Sequence, residues 1–359
     1  MSTFLDFLRI GAASCVFLGH TNFSCFFGES SIGPQNGLDY VIIFFVLSGF
    51  VIAWSVDRKN KLTFYQYAFD RLTRLWSVVL PALTIGFILD WLGQRIHPET
   101  YDLMLSSNHQ ETKILLSALF LHETWFFSIR PGSNGPFWSL SYEFFYYLIF
   151  GAFMLLPTLK NKIAVGGLGV LIAGPKVLLL LPCWLFGVIA YHCCKLFRPS
   201  TSIAICLIVI SGFFLFSLLI DRWGSWHPWD KPGLGMPPLF YSAKFLDDYL
   251  IATSCAFLIY GSSRWFTLNA PGNSRIQKTI KSLAGCSFSL YVLHFPLIVF
   301  ISALWASGKI NFLEIKGSIL LVLIFCLLFS ILFERQLSRF RTAVRSLVPQ
   351  LSSTCGIRS

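Results

Sequence analysis

Four places in this chain set ionisable side chains inside strongly apolar runs: Arg9 with His20, then Asp39, Glu143 and His294. Such groups are expensive in a hydrocarbon environment and are functional candidates for that reason. Arg9 and His20 are eleven residues apart. On a helix that is about 16.5 Å of rise and a rotation of about 20° from the same face. One stripe therefore carries a guanidinium near one membrane surface and an imidazole toward the other, and it should face the interior of a bundle. The alternative is a snorkelling Arg9 and a hydrogen-bonded His20. Asp39 opens the next apolar run after Gly37 and Leu38, within reach of His20 across a short loop. A carboxylate that holds one imidazole nitrogen leaves the other free as a base; equally, an acid at a helix start interacts with the dipole. Glu143 shares a face with Ser139, four residues earlier. It could be a buried proton donor or acceptor, or a helix–helix hydrogen bond. Ser287, Tyr291 and His294 form a further polar stripe just before Pro296, where a packing network competes with function.

These residues need elements to hold them. Of 359 residues 55% are hydrophobic, only 13% are charged and 17% are aromatic, too few charges for a water-soluble surface. The expected fold class is all-α, a polytopic transmembrane bundle of about ten helices near 7–26, 38–56, 75–92, 136–157, 163–175, 177–194, 202–220, 245–260, 283–304 and 314–333. Segment 114–128 contains His122 and Glu123 and reads as a re-entrant or surface helix. With both termini cytoplasmic, eighteen of the 28 basic residues fall in inner segments, in keeping with the positive-inside bias. Counting 114–128 as a span would send Lys160, Lys195 and the Arg-rich tail outside. The first apolar segment reads as a retained helix, since it carries Arg9 and His20 and lacks a cleavage signature. The expected location is the inner (plasma) membrane.

The net charge of +11 is dispersed through inner loops, which points to anionic lipid head groups and away from nucleic acid. The ten cysteines show no paired extracellular spacing and no zinc-type CxxC, so no metal is expected. Trp223, Trp226, His227 and Trp229 in the 221–244 loop read as an interfacial aromatic belt or a substrate-gripping loop. One transmembrane domain over 1–335 is followed by a short basic cytoplasmic tail, 336–359.

Five motifs in order then resemble a family: Arg9-x10-His20; Gly37-Leu38-Asp39 running into Phe44 to Phe50 with Ser48; Phe69-Asp70-Arg71-Leu72-Thr73-Arg74-Leu75; Trp138 to Glu143; and Ser287 to Pro296. Together they resemble the acyltransferase-3 family of integral membrane acyltransferases. The resemblance implies transfer of an acyl group, usually acetyl from acetyl-CoA or another acyl-CoA used as co-substrate, to a hydroxyl of a cell-surface glycan or related acceptor. It implies a catalytic His20 with Arg9 as its basic partner, to which the residues themselves add Asp39, to orient His20, and Glu143 as further catalytic groups. Arg9, Arg71 and Arg74 would engage the anionic acyl-CoA, while Ser48, Trp138, Ser139, Tyr291 and His294 would line a polar interior. Phe-Phe-Tyr-Tyr at 144–147 departs from many members, which continue with a second acid and Gln; that departure bears on the acceptor class. A proton-coupled transporter is the alternative, and would call for inverted repeats or broken helices in matching halves; a sensor or scaffold would need no polar interior.

Overall fold

The computed structural model describes residues 3–21, 37–59, 61–102, 105, 109–220, 239–266 and 274–347. Trp223, Trp226, His227 and Trp229 lie outside them. The described chain is helical, with no strand among the described residues. The elements that concern the site are α1 (Thr3–His20), α2 (Gly37–Arg58), α3 (Phe64–Ile96), α4 (Gln110–Ala118), α5 (Trp138–Leu155), α6 (Leu159–Leu179), α7 (Leu181–Leu196), α8 (Thr201–Ile220), α9 (Phe245–Ser262), α10 (Arg275–Ala284), α11 (Ser287–Ala306), α12 (Phe312–Leu332) and α13 (Leu337–Leu347).

A helix lies at each of the ten segments expected to span. Six helical stretches, Gly37–Arg58, Phe64–Ile96, Leu159–Leu179, Thr201–Leu219, Ser287–Ala306 and Gly317–Leu347, are long and apolar enough to cross a membrane. The remaining four, α1, α5, α7 and α9, are 16 to 18 residues long. The segment at 114–128 is not a helix along its length. After α4 ends at Ala118 the chain runs irregularly to Phe137, and Phe120, His122 and Glu123 are buried within the protein.

The core is built where α2 lies against α7 and α9, α3 lies against α11, and α1 packs on α2 and α11. The α2–α7 contact is set by two glycines. A Cβ on Gly49 would sit 2.0 Å from the Trp184 carbonyl oxygen, and one on Gly187 would sit 1.9 Å from the Val46 oxygen. Small residues let membrane helices approach backbone to backbone, and here the approach brings the Trp184 indole to Ser48. Gly187→Val must therefore push the helices apart. The expected cost is about 1–3 kcal/mol, typical of overpacking, read as a lower thermal midpoint in detergent. An unchanged midpoint would contradict this packing.

Two prolines tie the irregular 119–137 segment to the bundle. A proline supplies no N–H, so it frees the carbonyl four residues earlier. Pro175 of α6 frees Leu171 O, which accepts from Trp125 Nε1 at 2.9 Å. Next to it Gly174 breaks the helix at φ 78°, where a Cβ would meet Trp125 Cα at 2.6 Å, and Trp125 N donates to Ala173 O at 3.0 Å. Pro296 of α11 frees Val292 O, which accepts from Asn134 Nδ2 at 2.8 Å. The same helix positions that lose a hydrogen bond thus anchor the segment that roofs the site.

A buried ion pair fixes this roof. Lys176, wholly buried, donates to Glu123 Oε2 at 2.5 Å and to the Phe127 carbonyl, while Ser128 Oγ donates to Glu123 Oε1 at 2.6 Å. Burial pushes the Glu123 carboxyl above its ordinary range, and Lys176 opposes that rise. Removing one partner of such a pair strands the other charge. Lys176→Met is expected to destabilise the protein by about 3–5 kcal/mol, and Lys176→Met with Glu123→Leu by clearly less. A loss in the double variant equal to the sum of the losses in Lys176→Met and Glu123→Leu measured singly would show that the pair is not coupled.

Candidate active site

Two cavities meet in the middle of the bundle. The larger, of about 450 Å³, lies toward the end where α2 finishes and α3 begins. Arg9, Arg71, Arg74 and Arg341 line it with Ser48, Ser139, Glu143, Tyr147 and Tyr291, and its apolar wall includes Phe44, Phe45 and Leu140. The smaller, of about 220 Å³, lies toward the opposite end and is lined by His20, Arg130, Trp138, Tyr241, Tyr291 and Phe295 among others. Val41 and Tyr291 line both.

Local sequence explains how each wall is made. Helix α3 starts at a capping box: Thr63 Oγ1 accepts from Gln66 N at 3.3 Å, and Gln66 Oε1 accepts from Thr63 N at 3.2 Å. Such boxes satisfy otherwise orphaned helix-end donors. From that fixed start Arg71 and Arg74 are three residues apart and share a face. Arg71 Nη2 donates to Ser55 Oγ at 3.4 Å, while its buried Nε has no partner. Among the described residues, Arg9, Arg71 and Arg74 form no ion pair with a carboxylate. The cavity therefore presents four guanidinium groups, Arg341 included, against the single carboxylate of Glu143.

Deeper in the same cavity, Ser48 Oγ donates to Glu143 Oε1 at 2.5 Å, and Tyr147 donates to the same oxygen. Trp184 Nε1 donates to Ser48 Oγ at 3.2 Å. Ser139, Glu143 and Tyr147 follow each other at four-residue steps along α5 and make one polar stripe. Tyr291 forms the partition: its hydroxyl donates to Pro136 O at 2.6 Å and lies 2.7 Å from Ser139 Oγ.

On the far side of Tyr291 the structure pairs His20 with His294. His294 Nδ1 lies 2.7 Å from Leu290 O, and its Nε2 lies 2.9 Å from His20 Nδ1. A carbonyl can only accept, so the neutral His294 carries its proton on Nδ1 and accepts at Nε2. His20 then donates from Nδ1, and its Nε2 keeps the lone pair of a base. The Val16 carbonyl one helical turn back lies against the same ring. The imidazole partner of His20 is thus a second imidazole, where Asp39 was expected. Asp39 opens α2 two residues after Gly37, where an added Cβ would lie 3.5 Å from His20 Cε1.

The Arg9–His20 stripe does face inward, but its two ends open into different cavities, Arg9 with the arginines and His20 across Tyr291. Glu143 lies with Arg9 and away from His20. Ser48, Trp138, Ser139 and Tyr291 all reach a cavity wall, and His294 is buried behind His20. Sequence reasoning passed over Tyr147, whose four-residue step from Glu143 was a usable signal. It also passed over Arg130 and Arg341. The latter belongs to the tail, and only folding brings it to the cavity. His122 is structural: burial pushes its imidazole down to about 4, and its Nε2 donates to Phe137 O at 3.2 Å.

A helical membrane bundle with an arginine-lined cavity and an imidazole pair beyond a tyrosine partition defines the class of molecule. Residues 2–334 match the model of the acyltransferase-3 family, described as an acyltransferase domain, and the chain belongs to that family. It is also 34% identical over 152 residues to the acyltransferase MdmB of Streptomyces mycarofaciens, a match over 40% of this chain and 36% of that protein. No solved structure matches.

Proposed function

We propose that this chain is a multi-pass O-acyltransferase of the inner membrane, with about ten spans and both termini cytoplasmic. It moves an acyl group, usually acetyl, from acyl-CoA to a hydroxyl of a cell-surface glycan or related acceptor. The observation that carries this reading is the pair of cavities sharing Tyr291, one rich in unpaired guanidinium groups and the other holding His20.

In this reading the phosphates of the donor rest on Arg71 and Arg74 at the cytoplasmic side, as guanidinium groups suit phosphate. The pantetheine arm runs along the apolar wall toward Ser139 and Tyr291. The acceptor hydroxyl enters from the other side and lies against His20 Nε2. As its oxygen attacks the thioester carbon, His20 takes its proton. The C–S bond then breaks, and His20 returns the proton to the leaving thiolate. His294 holds the His20 tautomer, while Glu143, Ser48 and Tyr147 shape the donor side. Anionic lipids of the inner leaflet lie against the basic end.

The reading is tested with purified protein in lipid nanodiscs, by following free thiol released from acetyl-CoA and longer acyl-CoA with and without a glycan acceptor. Acceptor-dependent release in the wild type and its loss in His20→Ala are expected. The absence of acceptor-dependent release with every donor would overturn the reading. Cysteines placed in α10 and α13 should label only from the cytoplasmic side; external labelling of either would reverse the topology.

A further inference from the structure

Helix α13 lies beyond the residues that match the family, yet it completes the arginine-lined cavity. Leu337 and Arg341, four residues apart and so on one face, both line it. The next step, Arg345, stands over the Phe69 ring at 5.1 Å. Arg341 is held firmly from α3: its Nε donates to Thr73 Oγ1 at 3.1 Å, and its Nη2 donates to Asp70 O at 2.9 Å and lies 3.4 Å from Asp70 Oδ1. These contacts use Nε and Nη2 and leave the two N–H groups of Nη1 available, since a guanidinium has five donors. They do not neutralise it locally, because Asp70 also pairs with Lys59 at 2.7 Å. Four like-charged groups around one cavity repel each other unless an anion joins them.

We propose that Arg341 is a third phosphate-binding arginine of the donor site, beside Arg71 and Arg74, and takes the outermost phosphate, the 3′-phosphate of CoA. This rests on the acyl-CoA reading above. The order of groups along the cavity supports the assignment. Tyr291 and Ser139 close the deep end where the thioester must lie. Arg341 reaches in from a helix packed at the level of Asp70 and Thr73, and its side chain is 28% exposed. A phosphomonoester held there by a firmly placed guanidinium gains a charge-assisted hydrogen bond from Nη1. An anionic lipid head group offers the same chemistry, so the test separates the two.

Wild type, Arg341→Gln and Arg341→Lys are compared in nanodiscs of zwitterionic lipid, with and without phosphatidylglycerol. Acceptor-dependent turnover is measured with acetyl-CoA and acetyl-3′-dephospho-CoA, and binding with CoA and 3′-dephospho-CoA. Arg341→Gln is expected to raise KM for acetyl-CoA about ten-fold with little change in kcat, as loss of a ground-state contact should. It should leave KM for the dephospho donor at the wild-type value, and Arg341→Lys should fall between. Equal losses with both donors would overturn the proposal, as would an effect seen only when phosphatidylglycerol is present, which would make the ligand a lipid. Unchanged kinetics in a variant that still binds CoA would also overturn it while leaving the donor reading intact. If the wild type neither binds CoA nor turns over acetyl-CoA, the donor reading fails and this assignment with it.

Discussion

His20→Ala is expected to lower acceptor-dependent transfer by about 10²–10⁴, the usual contribution of a positioned base, while the protein still inserts and keeps its thermal midpoint. An alcohol is a poor nucleophile near neutral pH, so its proton must go to a base as the carbon–oxygen bond forms. Among the residues lining the smaller cavity, His20 is the only histidine, and the 2.9 Å contact with His294 leaves its Nε2 unprotonated. The second member of the pair gives the sharper test. His294→Leu removes the acceptor for His20 Nδ1–H and should cost about 10²-fold in kcat, since the wrong tautomer and ring orientation then become accessible. His294→Gln can offer a carbonyl oxygen to the same N–H and should recover part of that loss. Asp39→Asn should have the smallest effect of the three. If Asp39→Asn is as damaging as His294→Leu, the His–His orientation argument fails; substantial transfer by inserted His20→Ala excludes His20 as the base.

Arg71→Ala and Arg74→Ala form the second large effect, and it should appear in a different kinetic parameter. Each is expected to raise KM for acyl-CoA by about ten- to a hundred-fold, the equivalent of one hydrogen bond to a charged group. The change in kcat and in acceptor KM should be small, because contacts to the donor phosphates exist equally in the ground and transition states. Both arginines line the larger cavity, and the buried Nε of Arg71 has no protein partner. A buried donor left open in this way is costly unless a ligand supplies the acceptor. Wild-type KM for acyl-CoA in both variants would remove the arginines from donor binding.

The departure at residues 144–147 takes on a different meaning in three dimensions. Read along the chain, Phe-Phe-Tyr-Tyr bears on the acceptor. Folded, Tyr147 lines the arginine cavity and donates to Glu143, so in the proposed mechanism this variation touches the donor side.

Composition and apolar run length alone determined that this protein is a helical membrane bundle, because a helix in lipid satisfies its own backbone hydrogen bonds and needs only length and apolarity. The motifs likewise put Arg9 with His20, Arg71 with Arg74, and Ser139 with Glu143 on shared helix faces, since helical periodicity is a local property. What periodicity cannot carry is rotation and contact between helices far apart in sequence. His20 and His294 are 274 residues apart and are joined only because α1 packs on α11. The same limit hid the partition at Tyr291, the pairing of Glu123 with Lys176, and the roles of Pro175 and Pro296, whose freed carbonyls find partners 46 and 158 residues away. It also hid Arg341, whose own helix looks like an ordinary basic tail until α3 holds it at the cavity. These are packing decisions, made by the close approach of particular surfaces such as Gly49 on Trp184, and no single segment of the chain contains them.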